Sequence, residues 1–500
     1  MSRPSSSRRH SLKVLVASLA IAAVAALTLP LGAGATPSAV ERYLVVFGGT
    51  YALDGSYALG GNYALNHQYA LDIVRDSGGT IVADLSRDTG VMIVDAANQA
   101  FASHVGSYAL VDAVGRSFAW KGVPSMQEAI ARGDLTVLGP AAGEGDGATD
   151  PLVSQQWDMR MIRTRRAQAI EDGRRKVQVG VLDTGVDSTH ADFRVGTTSN
   201  VDTTLARSFV TSSPDPLTDA GFHGTHVAGT IAAQINGFGI VGVAPGVTLV
   251  PVKVCETSGY CFADSVIQGI HYAGEARLEV INMSFFADDD PPANSTQFKC
   301  LSDPDQRAWR LAIERQIEYA RFRGVAPVAA MGNNDLDLNH PEDLQAGATD
   351  EDCDQMPTEV KGVTAVVALG PDGTKSEYSS YGAGPGKADV SAPGGDGSTC
   401  ADQILSTLPG NSYGCFQGTS MASPHAAGVA ALIVSRFGVM GDDGDMKMPV
   451  GSVDRRLKNT SIDIGISGYD KCYGKGRVDA LRAVTHTTTA VHEANGCSDY

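Results

Sequence analysis

The sequence predicts an α/β fold built on a buried parallel sheet, and three observations carry that prediction. Short valine-rich runs at 177–182, 247–254, 280–283 and 325–330 have the length and unbroken apolar character of strands buried on both faces. Amphipathic stretches at 264–276 and 306–321 lie between some of them, as helical crossovers would. Asp183 and Asn333 stand just past the ends of two of these runs, where open α/β sheets carry their functional groups.

Three short stretches bear reactive residue types inside small-residue turns: Asp183-Thr184-Gly185, His223-Gly224-Thr225-His226 and Gly418-Thr419-Ser420-Met421-Ala422. A serine hydroxyl is a poor nucleophile until an imidazole takes its proton, and the imidazole needs a buried carboxylate to fix its tautomer and stabilise its cation. Ser420, His223 and Asp183 supply that set, and Gly224, Gly332 and Gly418 let substrate backbone come close. Ser420 opens a helix running to about Arg436, with Pro424 expected near the first turn, and its amino-terminal dipole favours an oxyanion. A second Asp-Thr-Gly at Asp88 raises the alternative of paired carboxylates sharing a proton, but that reading gives His223 and Ser420 no role. His223-Gly224-Thr225-His226 lacks the Glu and the spacing of a zinc-protease helix, so no catalytic metal is expected.

These residues carry a family resemblance. The stretches 179–186 (VGVLDTGV), 190–193 (HADF), 223–229 (HGTHVAG), 242–245 (GVAP), 280–284 (VINMS), 378–382 (YSSYG), 391–394 (SAPG), 418–428 and 474–480 (GKGRVDA) are similar to the signatures of the subtilisin-like serine proteases, over roughly 150–485. The resemblance implies a three-layer domain with a parallel sheet, preceded by a small α+β pro-domain that assists folding, then inhibits until it is cut away. It implies that Asn333, in Val328-Ala329-Ala330-Met331-Gly332-Asn333, faces the oxyanion together with the Ser420 backbone N–H. It implies that Ser284, Phe285 and Phe286, with Gly332, bind extended substrate as an added strand. Phe286 stands where the family has glycine and Met331 where it has a small residue, so the specificity pocket is expected to be reshaped. It also implies a structural calcium site from Asp192, the Asn236 side chain and the carbonyls of Gln234, Phe238 and Ile240, an oxygen shell suited to that ion.

The amino-terminal third reads as two removable segments. Residues 1–35 combine a basic start, an apolar run and Ala33-Gly34-Ala35, the composition of a secretory signal peptide, with twin arginines at Arg8-Arg9. The apolar run as a membrane anchor is the alternative. Residues 36–149 are assigned to the pro-domain, with strands expected at 43–47, 79–82, 91–94 and 109–118, and 150–500 to the peptidase domain. Tyr-Ala-Leu recurs at Tyr51, Tyr57, Tyr63, Tyr69 and Tyr108, and an expanded surface loop is the expected account. The glycine-rich, acidic run 139–150 is the expected boundary and site of self-cleavage.

All eight cysteines lie from Cys255 onward, an even count that suggests disulfides in an oxidising compartment. Sequence allows about a hundred connectivities; pairing of neighbours, Cys255 with Cys261, Cys300 with Cys353, Cys400 with Cys415 and Cys472 with Cys497, is the expectation. A net charge of −17 without a basic patch argues against nucleic acid as a partner. Acidic stretches at 288–290 and 350–354 are expected as solvated loop faces, with weak calcium binding as the alternative. Two function classes follow: a secreted, monomeric serine endopeptidase acting on protein or peptide without stable membrane association, or a catalytically silent relative that binds a peptide or partner.

Overall fold

The computed structural model describes residues 39–51, 57–58, 63–98, 100–140, 150–287, 298–343, 346–350, 352–441, 444 and 446–494. The signal-peptide reading, most of the 139–150 boundary and the acidic run 288–290 lie outside them. Residues from Val40 onward form one compact unit.

Seven parallel strands make the central sheet, in the spatial order Arg207–Ser208, Thr248–Lys253, Gln178–Asp183, Val280–Met283, Ala326–Ala330, Thr364–Leu369, Ala388–Pro393. The four valine-rich runs are four of these strands, each within a residue or two of the expected bounds. Order along the chain reverses between Gln178–Asp183 and Val280–Met283, the switch point at which ligands bind in open α/β sheets. Strand residues alternate between two cores. Val179, Val181, Val280 and Val328 pack with the helix Thr419–Phe437 on one face. Leu182, Ile281, Met283 and Ala329 pack on the other with the helices Ala263–Ala276 and Pro304–Phe322. The result is three layers.

The amino-terminal region is the expected α+β element. Its antiparallel sheet runs Thr80–Leu85, Val91–Ala96, Glu41–Phe47, Val111–Arg116. Tyr43, Val45, Met92 and Val94 face the helices Tyr63–Asp76 and Phe101–Val105. Leu44, Val46, Val91 and Ile93 turn the other way and share a core with Ala308, Trp309 and Ile313 of Pro304–Phe322. Arg42 reaches Asp95 at 2.6 Å and Asp264 at 2.7 Å, pinning the two regions at one edge. The Tyr-Ala-Leu repeat is not one loop: Tyr63 opens a helix that also contains Tyr69, and the Tyr69 ring meets Tyr108 edge-on at 6.4 Å.

Three of the four expected disulfides are present, Cys255–Cys261, Cys300–Cys353 and Cys400–Cys415. Cys472 is also disulfide-bonded, and Cys497 lies outside the described residues. The 350–354 stretch is more than a solvated face: Asp350 pairs with Lys387 at 2.6 Å and Asp354 with Arg310. Among the described residues no helix is long and apolar enough to cross a membrane.

Candidate active site

Asp183 closes its strand with no solvent exposure, and its carboxylate straddles His223 Nδ1 at 2.9 and 3.0 Å. The Thr184 N–H donates to the same carboxylate at 2.7 Å. His223 begins the helix His223–Ala232, and Gly224 explains why it sits so close: a Cβ there would stand 2.1 Å from the Gly185 carbonyl. His223 Nε2 is buried and has no partner. Its neighbour His226 points elsewhere. Burial holds its imidazole down at about 3, neutral, with Nε2 against the Ile404 carbonyl at 3.1 Å.

Ser420 is the second residue of the helix Thr419–Phe437, and its Oγ donates to the Ser284 carbonyl at 2.9 Å rather than to His223. Pro424 is the sixth residue of the helix, just past its first turn. Having no N–H, it leaves the Ser420 carbonyl four residues back without its helical donor. The Ser284 hydroxyl supplies the missing donor at 2.7 Å, so Ser284 and Ser420 exchange hydrogen bonds. Asn333 follows the strand Ala326–Ala330 through Met331 and Gly332, whose φ of 109° is the left-handed geometry that favours glycine. The Asn333 Oδ1 accepts from Thr419 N at 2.9 Å and Oγ1 at 2.8 Å, which assigns the Nδ2 donor to the side of Gly418 and Ser420. Gly332 is walled by Gln355, whose amide nitrogen lies 2.8 Å from where a Cβ would stand.

The expected substrate wall is closed. Phe285 has no exposure and Phe286 only 6%, and the Phe286 carbonyl accepts from Trp120 Nε1 at 3.1 Å. The strand Ala119–Lys121 pairs antiparallel with Tyr260–Phe262. The chain then enters the short helix Met126–Arg132, whose Ser125 and Glu128 form a capping box, and Gly133 ends it in the left-handed region. Leu135–Pro140 pairs antiparallel with Ser412–Phe416, the strand that leads to Ser420. Gln417 donates to Asp134 at 3.1 Å and Gln403 to the Gly133 carbonyl at 3.1 Å. The segment 118–140 is thus tied on both flanks of Ser420, which is 5% exposed.

Sequence reasoning missed Asp219. Its buried carboxylate accepts from Thr184 Oγ1 at 2.8 Å, Gly221 N at 3.1 Å, Thr225 N at 2.8 Å and Thr225 Oγ1 at 2.7 Å. Thr184 Oγ1 in turn accepts from Gly224 N at 3.0 Å, so Asp219 braces the loops that hold Asp183 and His223. A carboxylate four residues before His223 was the available signal.

The expected calcium residues are gathered in one loop cluster. Asp192 Oδ2 accepts from Ile240 N at 3.0 Å and Tyr413 Oη at 2.9 Å, while Oδ1 is buried without a partner. Burial above all, with the nearby Asp150 charge, pushes the Asp192 carboxyl up to about 7. Gln234 N donates to the Asp192 carbonyl at 2.8 Å, and the Gln234 side chain goes instead to Arg175. Asn236 Oδ1 accepts from Phe238 N at 2.8 Å, and its Nδ2 donates to the carbonyls of Ala191 and Arg194. An orphaned buried carboxylate oxygen is the feature that fits a cation.

A parallel sheet with a buried Asp–His pair at its switch point and a serine on an adjoining helix start defines the architecture of an α/β serine hydrolase. The sequence pattern of the subtilase family matches residues 174–476. Subtilisin DY of Bacillus licheniformis is 33% identical over 323 residues, 65% of this chain and 96% of that protein. Subtilisin E of Bacillus subtilis (strain 168) is 34% identical over 307 residues, 61% of this chain and 65% of its own length. A solved lanthipeptide protease is 26% identical with a TM-score of 0.56, covering 70% of this chain and 99% of that one. The epidermin leader peptide processing serine protease of Staphylococcus aureus shares the fold, with a TM-score of 0.66 at 20% identity over 90% of this chain and 99% of that one. The chain belongs to the subtilase family of serine proteases.

Proposed function

We propose that the protein is a secreted, monomeric serine endopeptidase made as a prepro-enzyme and activated by removal of residues 36–149. The observation that carries this reading is the Asp183 carboxylate bonded to His223 Nδ1 beside an unpartnered Nε2. In the proposed reaction Ser420 Oγ leaves the Ser284 carbonyl and gives its proton to His223 Nε2 as it attacks the scissile carbonyl carbon. Asp183 stabilises the imidazolium, and the proton passes to the leaving amine. The Asn333 Nδ2 and Ser420 N–H donate to the developing oxyanion, which a preorganised site binds better than the ground-state carbonyl. Ser284, Phe285, Phe286 and Gly332 receive the substrate strand once 118–140 has gone. Its own pro-domain is therefore the first inhibitor, and protein or peptide the substrate. Narrow cleavage of peptide precursors is the form of the activity this reading takes, since one structural neighbour is described as a lanthipeptide protease.

Calcium is proposed as a structural ion held by Asp192, Asn236 and the carbonyls of Gln234, Phe238 and Ile240. When bound it would offset the buried charge of Asp192 and lock the loop. Chelator should lower the melting temperature of the native chain but not of Asp192→Asn; an equal response would remove the proposal.

The competing reading, a silent relative that binds a peptide or partner, draws on the Ser420 hydroxyl being bonded away from its base. A fluorophosphonate probe separates the two. Labelling of purified secreted protein that disappears in Ser420→Ala, on a chain beginning near Asp150, supports the protease. No labelling on a folded, pro-domain-free chain supports the silent form.

A further inference from the structure

We propose that the substrate groove selects glycine at one position because the Cys255–Cys261 disulfide fills the space a side chain would need, and that the chain's own segment 119–123 displays the seating. The inference rests on the endopeptidase reading and names the substrate class of that site: extended peptide of the pattern aromatic, any residue, glycine.

The segment lies between two walls. Cys261 in Tyr260–Phe262 pairs with Trp120, and on the other side Trp120 Nε1 donates to the Phe286 carbonyl. Gly122 N donates to the Gly259 carbonyl at 3.1 Å and Val123 N to the same oxygen at 3.2 Å. This is an added strand, whose backbone bonds supply affinity while pockets for side chains supply specificity.

At Gly122 there is no pocket. A Cβ there would stand 2.4 Å from Cys261 Sγ, 3.1 Å from Trp120 Nε1 and 3.3 Å from Cys261 Cβ. Gly122 is outside the left-handed region, so the demand is for room and not for an unusual backbone. Neither obstacle can turn aside. Cys261 is bonded to Cys255 six residues away, and both are fully buried. Trp120 is fixed by its hydrogen bond and by the rings of Trp309 at 5.0 Å and Phe285 at 6.5 Å. Lys121, between them, sends its Nζ to Glu128 at 2.8 Å and the Ser258 carbonyl at 2.7 Å, so its position carries no comparable demand.

The test uses the octapeptide of residues 117–124 as competitor against fluorophosphonate labelling of the secreted enzyme. Replacing its glycine by alanine should weaken competition about tenfold or more, the usual size of an overpacking penalty. Replacing its tryptophan by alanine should do at least as much. In Cys255→Ala/Cys261→Ala enzyme the glycine preference should shrink to within about threefold, since the fixed sulfur has gone. A second measurement needs no cysteine change. In the full chain, Gly122→Ala should raise the initial labelling rate of Ser420 about tenfold by unseating the segment, and Ser103→Ala, exposed on the helix Phe101–Val105 away from the groove, should leave it within about threefold. Equal competition by the glycine and alanine peptides, no competition by either, or equal labelling of the two full-chain variants would each overturn the inference. Labelling without discrimination overturns it alone; absence of labelling overturns the endopeptidase reading beneath it.

Discussion

Asp219→Asn exposes how far the site depends on a group that performs no chemistry. The carboxylate receives four hydrogen bonds, two of them from backbone N–H groups of Gly221 and Thr225. An amide keeps one oxygen, so its nitrogen must face one of those N–H donors. Either threonine hydroxyl can reverse and accept, but a backbone N–H cannot. One buried donor is left unsatisfied at about 1–3 kcal/mol, and charge-assisted bonds become neutral ones worth about 1 kcal/mol less each. Relief of a carboxyl that burial holds above its ordinary range works against this. The net expectation is a loss of about 2–3 kcal/mol. Loosened Thr184 then frees Gly224 and the Asp183–His223 pair, and misplacement on that scale costs on the order of a hundredfold in kcat with a smaller change in KM. Urea unfolding of the variant in a Ser420→Ala background, with kcat and KM measured separately in active enzyme, supplies both numbers. A midpoint that rises, with kcat unchanged, would mean that desolvation outweighs the hydrogen bonds and that Asp219 is no brace.

Other consequences are smaller to state. Asn333→Ala should lower kcat by about a hundredfold to a thousandfold with little change in KM, a magnitude that comes from subtilisin itself; steady-state kinetics on one peptide decide it. His226 is held at about 3 when folded, against 6.5 ordinarily. Between those values only the unfolded chain takes up the proton, so stability should fall as pH drops from 6.5 toward 3, by about 1.4 kcal/mol per unit. A Ser420→Ala/His226→Gln chain whose melting temperature has the same pH slope as Ser420→Ala would contradict this. Cys300→Ala/Cys353→Ala opens a loop of 53 residues and should cost about 4 kcal/mol on the chain-entropy account, read by urea unfolding.

The sheet was legible because each strand is a short apolar run whose meaning is local, and Asp183, His223, Asn333 and Ser420 were legible because each sits in a distinctive small-residue turn. The segment 118–140 was not. Its partners, Tyr260–Phe262 and Ser412–Phe416, lie well over a hundred positions away, and antiparallel pairing leaves no local pattern. The capping box at Ser125 and Glu128 was a readable helix start within it. Pro424 was expected near the first turn and stands six residues into the helix, where a proline removes one helical hydrogen bond. The Ser284 hydroxyl, far away in sequence, supplies the donor that the proline lacks.

That exchange between Ser284 and Ser420 limits how the proposed protease can be remodelled. A wall residue and the proposed nucleophile share two hydrogen bonds, so they form one mechanical part. Evolution or an engineer seeking a new cleavage preference has latitude at Phe286, whose side chain takes no part in the clamp. At Ser284 the same search would meet the loss of the hydroxyl that completes the helix carrying Ser420, and specificity there cannot drift without the reaction drifting too.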